Sequence, residues 1–328
     1  MTADPRPVVV LAGPVHPDGH AQLEREARVV LADDTDAGVI RAAADAQGIL
    51  IRARPLVSER LMAACPRLRV VGRHGVGLDT VDMAAATRLG VAIVHAPGSN
   101  AQAVAEHALM LMLACVKHAR QIDRMTRAGD WSARQHFTNT ELGGKTLGIV
   151  GVGNIGRLVA KFAGAIGMRV LGYDPYVPAD ELRRRGAEPV GSLEDLLSQV
   201  DVLTCHTPLT DETRHLIDEK AVALLKPGAI YVNTSRGPVH QEPALFQALL
   251  TGHLAAAGLD VFELEPCPVD NPLFNLENVV LSTHVAGGTR ESVRKASLQV
   301  TAEMLRVLRG ERPHVLANPA VWGRIGRR

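Results

Sequence analysis

The sequence is poor in aromatic residues and carries almost no net charge. Phenylalanine, tryptophan and tyrosine make up 3% of its 328 residues, which leaves little material for the stacking surfaces that bind single-stranded nucleic acids. Thirty-six Lys and Arg side chains balance 35 Asp and Glu side chains, for a net charge of +1. No strong positive field therefore attracts nucleic acid, and we expect no nucleic-acid partner.

Cysteines and long apolar runs are also scarce. The four cysteines, Cys65, Cys115, Cys205 and Cys267, are far apart and form no C-x-x-C pair. This spacing indicates small buried side chains or idle thiols rather than disulfides or metal ligands, which suits a reducing compartment. The apolar stretch at residues 108–116 is too short to cross a bilayer, and the first residues lack the apolar core of a signal peptide. We expect a soluble cytoplasmic protein without a metal.

Two regions alternate short apolar runs with helical patterns, which is typical of parallel α/β sheets. Strands are predicted in the first region at residues 8–11, 48–51, 68–71 and 91–94, with helices at 58–64 and 82–88. In the second region they are predicted at 146–150, 169–173, 202–205, 229–233, 256–259 and 279–281. A long helix at 101–127, apolar on most sides, a loop at 129–144 and a final helix at 290–309 complete the layout.

A glycine-rich motif follows the predicted strand at 146–150. Gly151 permits a tight turn, Gly153 lets the backbone approach a pyrophosphate, and Gly156 lets the next helix pack closely. Asp174 ends the following strand, 18 residues after Gly156, where an acid accepts the adenosine ribose hydroxyls. Because an acid repels a 2′-phosphate, we expect NAD rather than NADP. The alternative is a structural turn beside an unrelated exposed aspartate.

Three side chains suited to keto-acid reduction follow successive predicted strands. Arg236 is suited to gripping a carboxylate with two hydrogen bonds. Glu265 and His284 supply a carboxylate and an imidazole, and a carboxylate beside an imidazole favours its charged, proton-donating form. Each also has an ordinary structural alternative, and spacing alone does not show that the three converge.

The chain resembles the D-isomer-specific 2-hydroxyacid dehydrogenase family over nearly its whole length. The motifs that carry this resemblance, in the family's order, lie at residues 72–82, 100–107, 151–156 with Asp174, 206–210, 233–237, 260–266 and 283–288. The resemblance implies an NAD-dependent oxidoreductase that interconverts a 2-keto acid and a D-2-hydroxy acid.

The resemblance also implies roles for individual residues. Arg236 binds and polarises the keto acid, His284 is the general acid, and Glu265 is the partner of His284. Asp260 orients the nicotinamide carboxamide. The other expected cofactor contacts are Gly151, Gly153, Asn154, Ile155, Gly156, Asp174, Thr207, Pro208, Thr234, Ser235, Arg236, His284 and Gly287. Backbone amides at Val76 and Gly77 are expected to receive the substrate carboxylate.

The fold that the resemblance implies is two Rossmann-like doubly wound domains. The NAD-binding domain, residues 101–289, is inserted into a discontinuous flavodoxin-like substrate domain of residues 1–100 and 290–328. The helix that begins at Ala101 crosses between them, the cleft closes on substrate, and the chain is expected to form a homodimer. Because the final helix is followed closely by the end of the sequence, we expect no C-terminal regulatory domain.

The substrate is less sharply indicated. Arg52 and Arg54 resemble the segment by which phosphoglycerate dehydrogenases meet a phosphate, and residues at i and i+2 of an extended stretch face the same way. This favours a doubly anionic substrate such as 3-phosphohydroxypyruvate, the keto form of 3-phosphoglycerate, or a sulfonate or dicarboxylate analogue. Hydroxypyruvate, glyoxylate and pyruvate stay open, as does a pair of plain surface charges. The rival functions are an NAD(H)-sensing corepressor-like binding protein and phosphite dehydrogenase on the same fold.

Overall fold

A computed structural model describes residues 4–325. The chain divides into two compact units: Met1–Asn100 with Gly288–Arg328 forms unit 1, and Ala101–Gly287 forms unit 2. Each unit is built on one parallel sheet flanked by helices, which confirms the predicted α/β fold class. Among the described residues, no helix is both long and apolar enough to cross a membrane.

The elements alternate in the order expected of βαβ units. The strands are β1 (Val8–Ala12), β2 (Arg28–Ala32), β3 (Gly48–Ile51), β4 (Val70–Arg73), β5 (Ala92–His95), β6 (Thr146–Val150), β7 (Arg169–Tyr173), β8 (Glu188–Pro189), β9 (Val202–Cys205), β10 (Ala229–Asn233), β11 (Leu254–Leu259) and β12 (Val279–Leu281). The helices are α1 (Pro17–Glu24), α2 (Asp36–Ala42), α3 (Glu59–Ala63), α4 (Met83–Arg88), α5 (Ala101–Val116), α6 (Ala119–Arg127), α7 (Ala133–His136), α8 (Gly156–Ala165), α9 (Ala179–Arg184), α10 (Leu193–Leu197), α11 (Glu219–Leu224), α12 (Glu242–Leu250) and α13 (Arg290–Leu308).

Unit 1 contains a five-stranded sheet in the order β2-β1-β3-β4-β5, with every pairing parallel. This is the flavodoxin-like order, with the direction of winding reversed beside β1. Helix α13 packs on β4 and β5, so closely that a Cβ added at Gly72 would overlap the Met304 side chain. The final helix of the chain is therefore an integral part of the first unit.

Several helices begin at capping residues that are visible in the sequence. Ser58, Asp82 and Thr289 each accept a hydrogen bond from the backbone amide three residues later. Such a cap satisfies one of the amides that a helix start leaves without a partner, and its loss costs about 1 kcal/mol. The helices that follow begin at Glu59, Met83 and Arg290, within one residue of the starts that their helical pattern predicted.

Unit 2 contains a seven-stranded parallel sheet in the order β12-β11-β10-β9-β6-β7-β8. Strand β6 lies between β9 and β7, so the winding direction reverses there. In open α/β sheets, ligands bind beyond the carboxyl ends of the strands at this reversal. A ligand is therefore expected to bind beside the loops that follow β6, β7 and β9.

The prediction of a single helix at residues 101–127 is wrong, because the structure has two helices there. α5 ends at Val116, and His118 adopts a left-handed conformation with φ +46°. The carbonyl oxygen of Val116 accepts the amide of Thr140 at 3.0 Å, and Lys117 Nζ donates to the carbonyl oxygen of Thr140 at 2.8 Å. These bonds to the following loop replace the helical ladder at the break.

Apolar side chains cover most sides of α5. α5 packs on β10, β11 and α8, and Leu111 and Met112 are fully buried, which stabilises the fold by roughly 1.5–3 kcal/mol for each side chain. Met110 and Leu113 keep 43% and 39% of their surfaces exposed. Within this chain the helix therefore buries one side.

Three elements escaped prediction from the sequence. β2 is an edge strand whose residues are exposed or half-buried, and β8 has two residues. α7 forms a single turn within the expected loop at 129–144. β8 and α7 are too short to show an apolar run or a helical period, whereas β2 contains an apolar run at residues 29–32 and was missed nonetheless.

Candidate active site

The strands of unit 2 end in register at one edge of the sheet. The last paired residues are Val150, Tyr173, Cys205, Asn233, Leu259 and Leu281. The residues that leave the sheet next are Gly151, Asp174, His206, Thr234, Asp260 and Ser282. Residues far apart in sequence thus start their loops along one row, which is the condition for a shared site.

The glycine-rich loop at residues 151–156 turns tightly and leads directly into α8. Gly151 has φ +86°, and a Cβ there would press on His206 and Thr207. A Cβ at Gly156 would overlap the carbonyl oxygen of Gly151, so the start of α8 can approach the turn only with glycine at that position. A Cβ at Gly153, by contrast, would have no atom within 4 Å, which leaves an open side at the start of a helix where a phosphate can approach.

Asp174 is tied to this loop by its carboxylate. Oδ2 accepts the amide of Val152 at 3.0 Å, and Oδ1 accepts the amide of Tyr176 at 3.0 Å. The acid is therefore fixed at the tip of β7 beside the turn, while each of its oxygens keeps capacity for another donor. This is the position from which a carboxylate accepts ribose hydroxyls.

An arginine near this loop was missed from the sequence. Arg185 follows α9, and its Nη1 donates to the carbonyl oxygen of Val152 at 2.7 Å. Its Nε donates to Glu181 Oε1 at 2.8 Å. Because both bonds hold the guanidinium within the protein, Arg185 supports the loop, and Asp174 remains the charged group that the sequence motif places at the ribose position. Arg185 lies 11 residues after Asp174, outside the sequence motif, so the motif did not point to it.

The row of strand ends also carries buried polar atoms without a hydrogen-bond partner in the described part of the chain. They are His206 Nδ1, Thr207 Oγ1 and Thr234 Oγ1. Burial lowers the pKa of His206 to about 3, so its imidazole is neutral at pH 7. Since buried polar atoms are normally hydrogen-bonded, these residues fit a polar ligand such as a dinucleotide along this edge.

His284 and Glu265 form a direct pair. The imidazole Nδ1 lies 2.7 Å from Glu265 Oε2, and Glu265 Oε1 accepts the amide of Phe262 at 3.1 Å. Burial opposes ionisation of the Glu265 carboxyl. The hydrogen bonds from His284 and Phe262, together with the charge of Arg236, outweigh it and hold the pKa of Glu265 below its usual value. Glu265 therefore interacts with both His284 and Arg236.

Arg236 is presented by a turn that Asn233 organises. Asn233 Nδ2 donates to the carbonyl oxygen of Arg236 at 2.9 Å, and its Oδ1 accepts the amide and hydroxyl of Ser235 at 2.8 and 2.7 Å. A Cβ at Gly237 would overlap the backbone of Phe262, so the Arg236 turn and the Glu265 loop approach closely. The sequence placed Asn233 in the motif but gave it no role.

Asp260 is fully buried and is bonded to the backbone around His284. Its Oδ1 accepts the Val285 amide and its Oδ2 the Ala286 amide, both at 2.9 Å. Oδ1 also accepts the hydroxyl of Ser282 at 2.6 Å. Three of the roughly four acceptor positions of the carboxylate are thus occupied within the protein, which leaves one on Oδ2 for the carboxamide contact that the resemblance implies.

Other predicted cofactor residues lie around the same strand ends. Asn154 and Pro208 are exposed, Ile155 precedes α8, and Gly287 is the last residue of unit 2. Thr234 and Ser235 are buried just beyond β10.

The loop predicted to bind the carboxylate belongs to unit 1 and follows β4. Its backbone is held by His95, whose Nδ1 lies 3.0 Å from the Val76 carbonyl oxygen, and by the Ala96 amide, which donates to the Gly75 carbonyl oxygen at 2.9 Å. Within the described residues, the amides of Val76 and Gly77 have no intramolecular acceptor. They are therefore free to donate to an anion.

Arg52 and Arg54 do not continue an extended strand as expected. β3 ends at Ile51, and residues 52–53 form a bend, so the argument that two extended residues face one way does not apply. Arg52 is half-buried, whereas Arg54 is exposed. Burial and the positive charge of Arg52 lower the pKa of His74 to about 4, so Arg52 lies close to the residue that precedes the Val76 loop.

Several known proteins resemble this chain in sequence. Residues 109–286 match the family model described as the NAD-binding domain of the D-isomer specific 2-hydroxyacid dehydrogenases. The chain is 43% identical over 306 residues to D-3-phosphoglycerate dehydrogenase of Mycobacterium tuberculosis, covering 93% of this chain and 57% of that protein. It is 40% identical over 268 residues to glyoxylate reductase of Korarchaeum cryptofilum, covering 81% and 80%.

A solved structure shows the same architecture. D-lactate dehydrogenase of Aquifex aeolicus, crystallised with NAD and lactic acid, superposes with a TM-score of 0.83 at 28% identity and covers 93% of this chain and 96% of that one. The chain spans 57% of the length of the M. tuberculosis relative.

Proposed function

Because this chain belongs to the D-isomer specific 2-hydroxyacid dehydrogenase family, we propose that it interconverts a 2-keto acid and a D-2-hydroxy acid by NAD-dependent hydride transfer. The observation that carries the proposal is the pair of His284 and Glu265, 2.7 Å apart. Arg236 acts on Glu265, and the loops that carry all three leave the same sheet edge as the glycine-rich loop.

NAD rather than NADP is the proposed cofactor. The open side of Gly153 and the carboxylate of Asp174 fit a dinucleotide without a 2′-phosphate, since that phosphate would meet a like charge. When bound, the nicotinamide supplies or accepts the hydride at C2 of the substrate. The buried Thr207 and Thr234 hydroxyls are the proposed donors along the sheet edge.

The protein's own side chains handle the proton and the negative charge. The guanidinium of Arg236 binds the keto acid and polarises its carbonyl group. His284 donates a proton to the carbonyl oxygen during reduction and takes it back from the hydroxyl during oxidation. Glu265, ionised at neutral pH, holds the imidazole by Nδ1 and so directs Nε2 outward as the reacting atom.

The proposed substrate carries a second anionic group, as 3-phosphohydroxypyruvate and its reduced form 3-phosphoglycerate do. Arg52 supports this, because its charge acts on His74 beside the loop whose Val76 and Gly77 amides are the proposed carboxylate donors. Several relatives at about 40% identity are named D-3-phosphoglycerate dehydrogenase, whereas another is named glyoxylate reductase.

Steady-state kinetics with matched arginine variants tests the substrate class. Arg52→Ala should raise KM for 3-phosphohydroxypyruvate about tenfold or more, the loss expected for one charge-assisted hydrogen bond, and change KM for hydroxypyruvate much less. Arg60→Ala, at an exposed position on α3, is the control and should change neither. Equal effects of Arg52→Ala on both substrates would remove the second-anion proposal and leave the enzyme class intact.

We also propose a role for each domain, an oligomeric state and a cellular location. We assign residues 101–289 to NAD binding and residues 1–100 with 290–328 to substrate binding. A homodimer is supported by the exposed Met110 and Leu113 on α5. A cytoplasmic location is supported by the four free thiols.

A further inference from the structure

His107 on α5 reaches the loop that carries His284. Its Nε2 lies 2.9 Å from the hydroxyl oxygen of Ser282, the first residue after β12. The His107 side chain is 17% exposed, so the contact is largely shielded from water. The sequence places His107 in a family motif, and no part of the mechanism above uses it.

The direction of the hydrogen bonds follows from the donors available. Ser282 Oγ lies 2.6 Å from Asp260 Oδ1, and a carboxylate that also accepts two backbone amides can only accept. Ser282 therefore gives its single proton to Asp260. Its oxygen must then accept from His107, which carries a proton on Nε2.

Asp260 in turn bonds to the turn around the reacting histidine. Its carboxylate accepts the amides of Val285 and Ala286, and its backbone carbonyl oxygen accepts the amide of His284 at 2.7 Å. His284 has φ +55°, a left-handed conformation that is unfavourable for a non-glycine residue. Such a conformation persists only where the surroundings enforce it.

We propose that His107 is a positioning residue for the dehydrogenase reaction. Through Ser282 and Asp260 it holds the His284 turn in the conformation in which Nδ1 meets Glu265. The role in turnover rests on the proposed function, whereas the role in holding the turn does not.

Two substitutions of His107 test the proposal by kinetics. His107→Leu removes the donor at similar volume, and His107→Gln keeps an amide N–H that can reach Ser282. His107→Leu should lower kcat for 2-keto acid reduction by about 10- to 100-fold, the range expected when a reacting group is misplaced by about an ångström. KM and NADH affinity should stay within about threefold, and His107→Gln should recover most of the loss. A His107→Leu enzyme with wild-type kcat would overturn the proposal.

A double-mutant cycle asks whether His107 acts through Ser282. Ser282→Ala breaks the hydrogen-bonded link and leaves only the longer approach of His107 Nε2 to Asp260 Oδ1, 3.6 Å. In that background His107→Leu should therefore lower kcat by no more than about twofold further. Independent, multiplying losses would instead mean that His107 supports the fold by another route, and the proposal would fail.

Hydrogen exchange supplies a readout that does not need turnover. The amides of Val285 and Ala286 should exchange about tenfold faster in His107→Leu than in wild type or His107→Gln, while peptides from β6 and α8 stay unchanged. Unchanged protection in His107→Leu would overturn the proposal even if no keto acid is reduced. Absence of turnover in the wild type with this exchange pattern intact would reject the proposed function alone.

Discussion

Nδ1 of His284 lies 2.7 Å from Oε2 of Glu265, and the amide of Phe262 holds the other carboxylate oxygen at 3.1 Å. The imidazole is thereby fixed at one nitrogen by an ionised partner, which leaves Nε2 as the nitrogen able to exchange a proton with a substrate. This pair is the centre of the proposed proton transfer.

Glu265→Gln should lower kcat for keto-acid reduction by about 100-fold, because the amide retains the shape of the side chain but loses the negative charge that faces Nδ1 of His284. NADH affinity should stay within about twofold. Stopped-flow and steady-state rates on the same preparation check both quantities. A variant with more than half of the wild-type kcat would show that the carboxylate charge is dispensable.

The glycine-rich loop offers a matched pair of alanine substitutions on one helix. Gly156→Ala places a Cβ against the carbonyl oxygen of Gly151 and should weaken NADH binding at least tenfold. Gly164→Ala, also on α8, meets no atom within 4 Å and should leave binding unchanged and raise stability by up to about 1 kcal/mol. Fluorescence titration and thermal unfolding measure the two effects. Similar NADH affinities in both variants would contradict the packing argument.

Asp174→Ala should relax the preference for NADH over NADPH. Removing the carboxylate abolishes both the ribose acceptor and the repulsion of a 2′-phosphate, so the ratio of kcat/KM for the two cofactors should fall at least tenfold. Asp180→Ala, at an exposed position on α9, is the control and should leave the ratio unchanged. If the ratio survived in Asp174→Ala, the cofactor would have to be selected elsewhere.

Stability in acid should depend on His74. Burial and the charge of Arg52 lower its pKa from 6.5 to about 4, so between these values the unfolded chain binds a proton that the folded chain does not. Stability is therefore full above pH 6.5 and falls as the pH drops toward 4, by about 2 kcal/mol between pH 7 and 4.5. His74→Gln has no imidazole to protonate, so it lacks this contribution to the pH dependence of the free energy of unfolding. Urea unfolding at both pH values should show that the variant loses less free energy of unfolding than the wild type. Equal losses in the two proteins would contradict the role of His74.

The sequence predicted the strands of unit 2 well because most are continuous buried apolar runs. Val202–Cys205 is fully buried and was predicted with its observed bounds. The edge strand Arg28–Ala32 was missed although residues 29–32 are apolar, and the structure leaves its side chains exposed or half-buried. The break after Val116 was also beyond prediction, because the amide that bonds to the Val116 carbonyl oxygen there comes from Thr140 in the following loop.

The candidate site shows the same division. Arg236, Glu265 and His284 could be proposed as site residues from the sequence because they follow strands and match family motifs. The supporting bonds of Asn233 and Asp260 could not, because many of their partners are backbone groups, which every residue possesses. Only the folded loops reveal which backbone groups these side chains hold.

The most direct test of the central claim is the rate of NADH oxidation by the wild type and by His284→Asn with a panel of 2-keto acids, with NADH binding measured on the same samples. The panel includes phosphohydroxypyruvate, hydroxypyruvate, glyoxylate and pyruvate. The wild type should oxidise NADH with at least one of them, and His284→Asn should bind NADH but be slower by a factor of 100 to about 10,000. A wild type that binds NADH but reduces none of them would contradict the account and favour an NAD(H)-sensing binding protein, and undiminished turnover by His284→Asn would contradict the assigned proton donor.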